Sequence, residues 1–404
     1  MAEPVIVATA RSPIGRAFKG SLIDMRPDDL AADIVKAALA KVPELEGERI
    51  DDLMLGCGLP GGEQGFNMAR VVAILAGLND VPGTTLTRYC ASSLQTIRMA
   101  AHAIKAGEGD VFLAAGVETV SRYVKGSSDS HPDTMNPAFA DAQQRTAKQA
   151  EGGGEPWAPV QDGLPDIYIA MGQTAENVAE LESVTREEMD EFALLSQTRA
   201  VESQKNGFFD REITPVTLPN GNVVSADDGP RPDTTLEKLS SLKPVFRPDG
   251  RVTAGNACPL NDGAAATVVM SDEKARALGI TPLARIVASG VSALDPEIMG
   301  LGPIEASRQA LARAGMTIDD VDLVEINEAF AAQVIPSARA LGVEWDKLNV
   351  NGGSIAVGHP FGMTGARIMA TLLNGLATAD KTVGLETMCV GGGMGMAMVV
   401  ERMS

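Results

Sequence analysis

Several features that mark other protein classes are scarce in this 404-residue chain. Aromatic residues make up 4% of it and there are three histidines, against 42 glycines. No run of about 18 apolar residues occurs, so no membrane span is expected. The stretch from Met1 to Ala10 lacks a basic segment followed by a long apolar run, so no secretory signal is predicted.

Cysteines are few, and the charge is strongly one-sided. Cys57, Cys90, Cys258 and Cys389 lie far apart without a CxxC pair, which argues against a disulfide framework or a zinc site. Free thiols are typical of a reducing compartment, so we expect a cytoplasmic protein. A net charge of −19 repels phosphate backbones, so nucleic acid is not an expected partner. An anionic ligand would need a local basic patch.

Apolar strands alternate with helical periodicity in the first and last parts of the chain, which is typical of an α/β fold. The first part predicts strands at Pro4–Ala10, Leu53–Gly56 and Val111–Val117, and helices at Pro27–Lys41, Asn67–Ala76 and Ser92–Ala106. Residues 121–165 are rich in Gly, Ser, Asp and Pro, and we interpret them as a loop insertion without core elements. Helices are predicted again at Gly172–Glu182 and Thr185–Asn206.

The two α/β segments resemble each other. Asp52-Leu53 and Asp322-Leu323 each follow an Ala-rich helix and lead into a predicted strand. The chain runs 38 positions from Asp52 to Cys90 and 37 positions from Asp322 to His359. A duplication would place Cys90 and His359 near corresponding strand and helix ends, although two ordinary αβ units could share this spacing by coincidence.

Cys90 lies just before the predicted helix Ser92–Ala106, with Ser92 or Ser93 as the expected N-cap. A helix N-terminus carries partial positive charge and free N–H groups, which would lower the pKa of the thiol and could hold an oxyanion. A lone cysteine is as often a small buried hydrophobe. Cys90 taken alone leaves both interpretations open.

A nucleophilic thiol needs a base, and His359 is the best placed of the three histidines. It lies in the glycine-rich segment 351–360, ahead of a helix predicted at Thr364–Leu373. Glycines permit close backbone approach to a ligand, which favours a functional role for this histidine. His102 lies in the middle of a predicted helix, and His131 lies in the polar insertion.

Two further segments place polar or reactive groups beside turns. Cys389 is followed by three glycines, which are costly unless the backbone must approach another group; an incidental cysteine in a hairpin is the alternative. Asn327 and Glu328 end a predicted strand, where α/β proteins bind ligands. Asn327 could also simply cap a helix.

Together, Cys90, the Asn-Glu-Ala-Phe at 327–330, the Gly-His-Pro at 358–360 and the Cys-x-Gly-Gly-Gly at 389–393 resemble the four signature blocks of the thiolase family, in order and spacing. The resemblance implies an α/β, thiolase-like duplicated αβαβα five-layer fold with an inserted loop domain. The implied parts are an N-terminal half, an inserted domain for coenzyme A binding and oligomer contacts, and a C-terminal half: 1–121 plus 250–281, 122–249 and 282–404. It also implies a homodimer or homotetramer.

The resemblance further implies a role for each site residue. Cys90 accepts the acyl group, and His359 activates the Cys90 thiol. Cys389 exchanges a proton with the acetyl-CoA carbanion or the coenzyme A thiol. Asn327, through a water, and His359 form one oxyanion site, and the N–H groups of Cys90 and Gly391 form the other. Acyl-CoA is the expected substrate, coenzyme A the co-substrate, and no metal is expected.

A locally basic run could offset the acidic average and bind a nucleotide phosphate. It comprises Arg231, Lys238, Lys243, Arg247 and Arg251, although a solvated loop with ordinary charges is the alternative. By resemblance, the predicted coenzyme A and acyl contacts are Arg231, Lys238, Leu242, Ala254, Cys258, Met171 and Met299. Methionines suit an adaptable apolar wall but are equally typical of a core.

Three positions depart from the family pattern. Cys258-Pro259 stands where many members have Ser-Gly, and Asn351 stands where close relatives often have His. Ala170 stands where thiolases dedicated to acetoacetyl-CoA carry a histidine. We therefore expect a degradative 3-ketoacyl-CoA thiolase for longer or bulkier acyl groups, in fatty-acid or sterol-type β-oxidation. The alternative is an acetoacetyl-CoA thiolase that condenses two acetyl-CoA in a biosynthetic pathway.

Two other functions compete less well. A ketoacyl synthase shares the fold and the cysteine, but it would use two histidines where this chain has His359 and Cys389. A non-catalytic lipid-binding or scaffold member would lack a nucleophile or an acid, whereas all four blocks are intact here.

Overall fold

A computed structural model describes residues 2–153 and 155–404. Met1 and Gly154, which belong to the predicted N-terminal half and to the insertion, lie outside the described residues. The strands are β1 (Pro4–Arg11), β2 (Gly15–Arg16), β3 (Asp52–Gly56), β4 (Gly83–Leu86), β5 (Val111–Thr119), β6 (Val216–Thr217), β7 (Val223–Val224), β8 (Asn261–Ser271), β9 (Ala284–Ala293), β10 (Leu323–Ile326), β11 (Val383–Val390) and β12 (Met394–Arg402). The helices are α1 (Pro27–Ala40), α2 (Met68–Leu75), α3 (Ser92–Ala106), α4 (Ala140–Ala150), α5 (Met171–Leu181), α6 (Arg186–Lys205), α7 (Leu236–Ser240), α8 (Asp272–Leu278), α9 (Gly302–Ala314), α10 (Ala331–Leu341), α11 (Ser354–Val357) and α12 (Thr364–Ala379).

The main strands form two groups that correspond to two halves of the chain. One group has the order β4-β3-β5-β8-β1 and the other β9-β12-β11-β10. Among the described residues, strands of the two groups pair where β1 meets β9 over two residues, Val5 with Arg285 and Ile6 with Ala284. Each group combines parallel neighbours, β3 with β5 and β10 with β11, with one long antiparallel strand, β8 or β12.

Alternating side chains on the long strands define the layers. On β8, Ala264 and Val268 pack with α1 and α2, whereas Val269 packs with α3 and α12. On β12, Met398 joins the central core around α3 and α12, whereas Val399 faces α9 and α10. Helices therefore cover both outer faces and fill the space between the two groups of strands, which gives the predicted αβαβα order.

The duplication is visible in two equivalent carboxylates. Asp51, just before β3, accepts hydrogen bonds at Oδ2 from the N–H of Val111 (3.1 Å) and of the residue before it (2.7 Å). Asp322, just before β10, accepts them at Oδ2 from the N–H of Val383 (2.9 Å) and of the residue before it (3.0 Å). Each carboxylate fixes the start of the neighbouring parallel strand. The repeated spacing in the sequence therefore reflects a repeated structural unit.

The insertion differs most from the prediction. Residues 121–165 were expected to be loop, but they include α4, an eleven-residue helix in which Ala142 is the buried side chain. A helix that buries so little carries no apolar stripe for sequence analysis to detect. The boundaries 122–249 of the inserted domain stay a prediction. In the part of the chain that the structure describes, no helix is both long and apolar enough to cross a membrane.

Candidate active site

Cys90 lies in a short 3-10 turn, Tyr89–Ala91, that leads directly into α3. Tyr89 has a φ of 44°, in the left-handed region that non-glycine residues enter at an energetic cost. The predicted serine cap is wrong, because Ser92 Oγ accepts from the Arg88 N–H (2.9 Å) and donates to the Tyr89 carbonyl (2.6 Å). The serine thus stabilises the turn that presents Cys90 rather than the free N–H groups of the helix.

The backbone N–H groups of Gly391 and of Cys90 itself lie close to the Cys90 sulfur. Both favour the thiolate, as expected for this position, but burial opposes them and is the larger effect. Burial raises the pKa of Cys90 to about 12. The prediction of a lowered pKa was therefore wrong in sign, and the resting thiol is neutral until a base takes its proton.

His359 is a neutral imidazole with a defined tautomer. The Thr364 hydroxyl donates to the Pro360 carbonyl (2.8 Å), so its oxygen accepts from His359 Nδ1–H (2.6 Å). This arrangement assigns the proton to Nδ1 and leaves the lone pair on Nε2. Burial and, second, the charge of Arg367 lower the pKa of His359 to about 3. The ring therefore stays neutral throughout the physiological pH range, with its lone pair on Nε2.

Asn327 lies against this ring at the carboxyl end of β10. Arg367 donates to Ser354 Oγ (2.8 Å), and Ser354 in turn donates to Asn327 Oδ1 (2.6 Å). The amide is thereby oriented with Nδ2 toward His359 Nε2, at 3.3 Å. Asn327 is not a helix cap, because the N-cap of α10 is Phe330. A fixed amide of this kind can present its N–H to a developing oxyanion.

Cys389 is fully buried near the end of β11. Burial raises its pKa well above the usual range, and the neighbouring thiols of Cys90 and Cys258 add to the effect. The glycines that follow Cys389 form a hairpin turn into β12, as the sequence also allowed. That turn has a further consequence, because it brings the Gly391 N–H to the Cys90 sulfur.

A cavity of about 440 Å³ opens onto Cys90 and Gly391. Much of its wall is apolar and comes from both halves and the insertion: Leu59, Met135, Ile167, Ile169, Met171 and Phe361. His359, Asn327 and Cys389 are buried and do not line it. The thiol therefore faces the cavity while the groups suited to proton transfer are shielded from solvent.

Glu118, on β5, connects the loop that follows β3 with the loop that precedes α12, and both loops line this cavity. Its carboxylate accepts from the N–H groups of Gly58 (2.6 Å) and Gly362 (2.9 Å), and Tyr123 and Gln64 each donate to it at 2.8 Å. Sequence analysis missed this residue because the predicted strand ended one position before it. The observed strand continues through Glu118 and places a buried carboxylate under both loops.

The cations of the predicted basic run fall into two groups. Some are hydrogen-bonded within the fold, and others have side chains exposed to solvent. Arg247 donates to two side chains of α5, and Arg251 donates to carbonyls at and just after the end of that helix. The prediction of a phosphate site is therefore wrong for these two, which stabilise the fold. Lys238 is exposed but forms an ion pair with Asp233 (2.7 Å). Arg231 is exposed.

Arg231 lies beside Arg16, which sequence analysis did not single out. Desolvation and the positive charge of Arg16 lower the pKa of Arg231. Arg16 Nε is buried without a hydrogen-bond partner among the described residues. Two neighbouring guanidinium groups, one with a free N–H, are suited to a phosphate.

The other predicted contacts fall into two groups. Leu242 packs on Gly255, where an added Cβ would lie 2.7 Å from its Cδ1, and this places Leu242 next to Ala254. Met171 lines the cavity, whereas Met299 is 1% exposed and packs in the core with α9 and α10. Cys258, whose N–H donates to a backbone carbonyl at 3.0 Å, is half-buried near Cys389.

Comparison with known proteins identifies the family. Residues 4–273 match the family model for the thiolase N-terminal domain, and residues 280–402 match that for the thiolase C-terminal domain. The chain belongs to the thiolase family. It is therefore an acyltransferase with thiolase activity, and thiolases act on CoA thioesters.

Individual thiolases resemble it over their full length. The 3-ketoacyl-CoA thiolase of Bacillus subtilis (strain 168) is 42% identical, covering 99% of this chain and 100% of that protein. The 3-oxoadipyl-CoA/3-oxo-5,6-dehydrosuberyl-CoA thiolase of Escherichia coli (strain K12) is 44% identical, covering 100% of each. The crystal structure of the dimeric peroxisomal thiolase of Saccharomyces cerevisiae gives a TM-score of 0.88 at 35% identity, covering 99% of this chain and 97% of that one. This structural match, together with the two family models, confirms the predicted fold.

Proposed function

We propose that this thiolase is degradative and cleaves 3-ketoacyl-CoA with coenzyme A to give acetyl-CoA and a shortened acyl-CoA, through an acyl group on Cys90. The observation that carries the proposal is that Cys90 and Gly391 lie side by side in the wall of an apolar cavity, with the backbone N–H groups of both residues close to the Cys90 sulfur. Such a pair of donors is suited to the oxyanion of a thioester or ketone under attack.

In the first half-reaction, the Cys90 sulfur attacks the 3-keto carbon while His359 Nε2 takes the thiol proton. The bond between carbons 2 and 3 then breaks, and its electron pair stays on carbon 2 of the departing acetyl-CoA. The Cys389 thiol, whose raised pKa keeps it protonated, donates a proton to that carbon. Asn327 Nδ2 and the protonated His359 stabilise the oxyanion of the leaving thioester.

In the second half-reaction, coenzyme A takes the acyl group from Cys90. The Cys389 thiolate left by the first step accepts the proton of the coenzyme A thiol, which attacks the acyl carbon. The bond from that carbon to the Cys90 sulfur breaks, and His359 returns its proton to the sulfur. Each group ends in the protonation state in which it began.

Coenzyme A binding is proposed along one surface track. Arg231, with Arg16 beside it, would hold a phosphate, and Lys238 would contribute a second positive charge. Leu242 and Ala254 would contact the pantetheine arm, which would reach the catalytic thiols past Cys258. This proposal predicts that Arg16→Ala raises KM for coenzyme A and for 3-ketoacyl-CoA, which carries the same nucleotide, and leaves kcat nearly unchanged.

The cavity supports acyl groups longer than acetoacetyl. About 440 Å³ is within the range of sites for drug-sized ligands of roughly 300–1,000 Å³. Ala170, in the wall, supplies no polar group at the position where acetoacetyl-CoA thiolases carry histidine. We therefore favour β-oxidation of fatty or sterol-type acyl chains over the condensation of two acetyl-CoA.

The test is kcat/KM for coenzyme A-dependent cleavage across 3-ketoacyl-CoA chain lengths. We expect efficiency to rise from four carbons to longer chains, because each added CH₂ buried in the cavity contributes about 0.8 kcal/mol. A sharp optimum at four carbons would contradict the degradative role. Consumption of malonyl-CoA with loss of CO₂ would instead favour a ketoacyl synthase.

We also propose a homodimer or homotetramer in the cytoplasm, with 122–249 as an inserted domain that contributes to oligomer contacts. The yeast relative is described as dimeric. All four cysteines are free, which suits a reducing compartment.

A further inference from the structure

The wall of the cavity beside Cys90 carries charge of one sign. Among the described residues that line it, Asp129 is the single charged side chain, and none is Lys, Arg or His. Most of the remaining wall is apolar, including Leu59 and Ile167. An acyl group that enters therefore meets apolar surface and one carboxylate.

Asp129 is exposed to solvent and lies in a tight turn at the edge of the cavity. Ser130 donates twice to the Ser127 carbonyl, from Oγ at 2.7 Å and from N–H at 3.2 Å. This turn lies directly on Gly61, where an added Cβ would be 2.6 Å from the Ser127 carbonyl carbon. Backbone-to-backbone packing of this kind fixes the turn and with it the position of Asp129.

The charge of Asp129 acts across the cavity. Tyr89 lines the same cavity. Its pKa is raised first by burial and then by the charges of Asp129 and Tyr168. The Tyr168 hydroxyl accepts the N–H of Asn136 at 3.1 Å, so the segment after Asp129 is also attached to the wall. Both ends of the segment are therefore anchored.

Cations that are close in sequence do not offset this charge inside the cavity. Lys125 lines a separate depression beside Arg26 and Glu63. His131 is exposed, and its Nδ1 contacts the Pro132 carbonyl at 2.9 Å. Neither side chain lines the cavity that contains Cys90.

A carboxylate at the far end of an acyl chain would lose water here without gaining a cation, and it would approach a like charge. We propose that the site accepts neutral, apolar 3-ketoacyl groups and discriminates against those that end in a carboxylate, with Asp129 as the residue that determines this specificity. The inference rests on the proposed thiolase function and narrows its substrate class. It separates this chain from its relative named for 3-oxoadipyl-CoA, an acyl group that ends in a carboxylate.

The test compares kcat/KM for 3-oxohexanoyl-CoA and 3-oxoadipyl-CoA, which share one chain length and differ in the terminal carboxylate. Wild type is expected to favour the neutral substrate by about ten-fold, because the terminal carboxylate loses water against the apolar wall and meets no cation there, and the exposed Asp129 adds a weaker repulsion. Asp129→Asn should reduce this ratio, and Asp129→Lys should reduce it further. Asp133→Asn, in the same exposed segment but outside the cavity wall, should leave it unchanged.

Each outcome decides the matter. A wild-type ratio near one, or a ratio that neither Asp129 variant changes, overturns the inference while leaving the thiolase function intact. Failure of wild type to cleave either substrate contradicts the proposed function and the inference with it. If the variants fold poorly, the wild-type enzyme can be tested with the neutral 6-amide of 3-oxoadipyl-CoA. The amide must be cleaved faster than the acid, and equal rates overturn the inference.

Discussion

The two halves of the chain build the same arrangement of carboxylate, strand and helix, and in the proposed mechanism they supply opposite sides of one proton transfer. In the N-terminal half, α3 begins beside Cys90; in the C-terminal half, α12 begins beside His359. Burial raises the pKa of Cys90 to about 12 and lowers that of His359 to about 3. The same physical cause therefore keeps both groups neutral, and the duplicated unit presents a thiol in one half and an imidazole in the other.

The halves also hold each other in place at this point. Ser93, at the start of α3, accepts from the N–H of Ala366 in α12 at 2.9 Å. Gly365 permits the close approach, since an added Cβ there would lie 2.3 Å from the backbone nitrogen of Leu94. The separation between the thiol and the imidazole is thus fixed by packing between the two helices.

The largest effect should come from removing the acceptor. His359→Ala is expected to slow acylation of Cys90 by about 10³-fold, because the neutral thiol then has no positioned base. The control is His102→Ala, on the exposed side of α3, which should acylate normally. Single-turnover acylation by acetyl-CoA measures both. Acylation of His359→Ala at a rate within a few-fold of wild type would contradict the proposal that His359 takes the proton of the Cys90 thiol.

Cys389 should separate acylation by acetyl-CoA from cleavage of 3-ketoacyl-CoA. Cys389→Ala is expected to accept an acetyl group from acetyl-CoA on Cys90, because coenzyme A can leave as a thiolate, but to cleave 3-ketoacyl-CoA about 10²-fold more slowly, because the carbanion loses its proton donor. The ratio of burst amplitude to steady-state rate reports the split. Complete loss of acylation in this variant would show that Cys389 acts earlier than we assign.

A smaller effect should follow when the tautomer of His359 is no longer fixed by a hydrogen bond. Thr364→Val removes the acceptor of His359 Nδ1–H, so the proton is free to move to Nε2, and we expect kcat to fall about ten-fold. Thr364→Ser keeps the acceptor and should restore most of the rate. A purely structural role for Thr364 would instead lower thermal stability in both variants without separating their rates.

The smallest expected effect is that the acylation rate of Cys90 barely changes with pH. A histidine with the ordinary pKa near 6.5 would lose about 30-fold in base form between high pH and pH 5. The folded pKa of His359 is lowered to about 3, so its base form is lost only near that value. Acylation rates between pH 5 and 7 should therefore stay nearly flat. A decline with an apparent pKa near 6.5 would indicate that His359 is less buried than described here.

The sequence indicated which residues belong to the candidate site better than it predicted their electrostatics. His359 and Cys389 could be proposed because the glycines beside them are costly for folding unless the backbone must approach another group, whereas Cys90 became a candidate only together with them. The sign of the Cys90 pKa could not, because it depends on burial contributed by distant segments. Glu118 and Thr364 were missed because each looks like an ordinary strand or helix residue until its hydrogen-bond partners are known.

The other features that could not be predicted from the sequence also depend on contacts between distant segments or lack a local pattern. The basic run was predicted from composition, but Arg247 and Arg251 are bound by α5, which is distant in sequence. Arg16 carries no local signal and becomes a candidate only beside Arg231. Helix α4 was missed because a surface helix without an apolar stripe looks like loop.

Acylation of Cys90 itself tests the central claim most directly. The enzyme is incubated with acetyl-CoA, digested and analysed by peptide mass spectrometry, with Cys90→Ala as the control. The account predicts one acetyl group on the Cys90 peptide, which disappears when coenzyme A is added and does not form in the control. An unmodified Cys90 peptide, or an acetyl group on Cys258 or Cys389 instead, would contradict it.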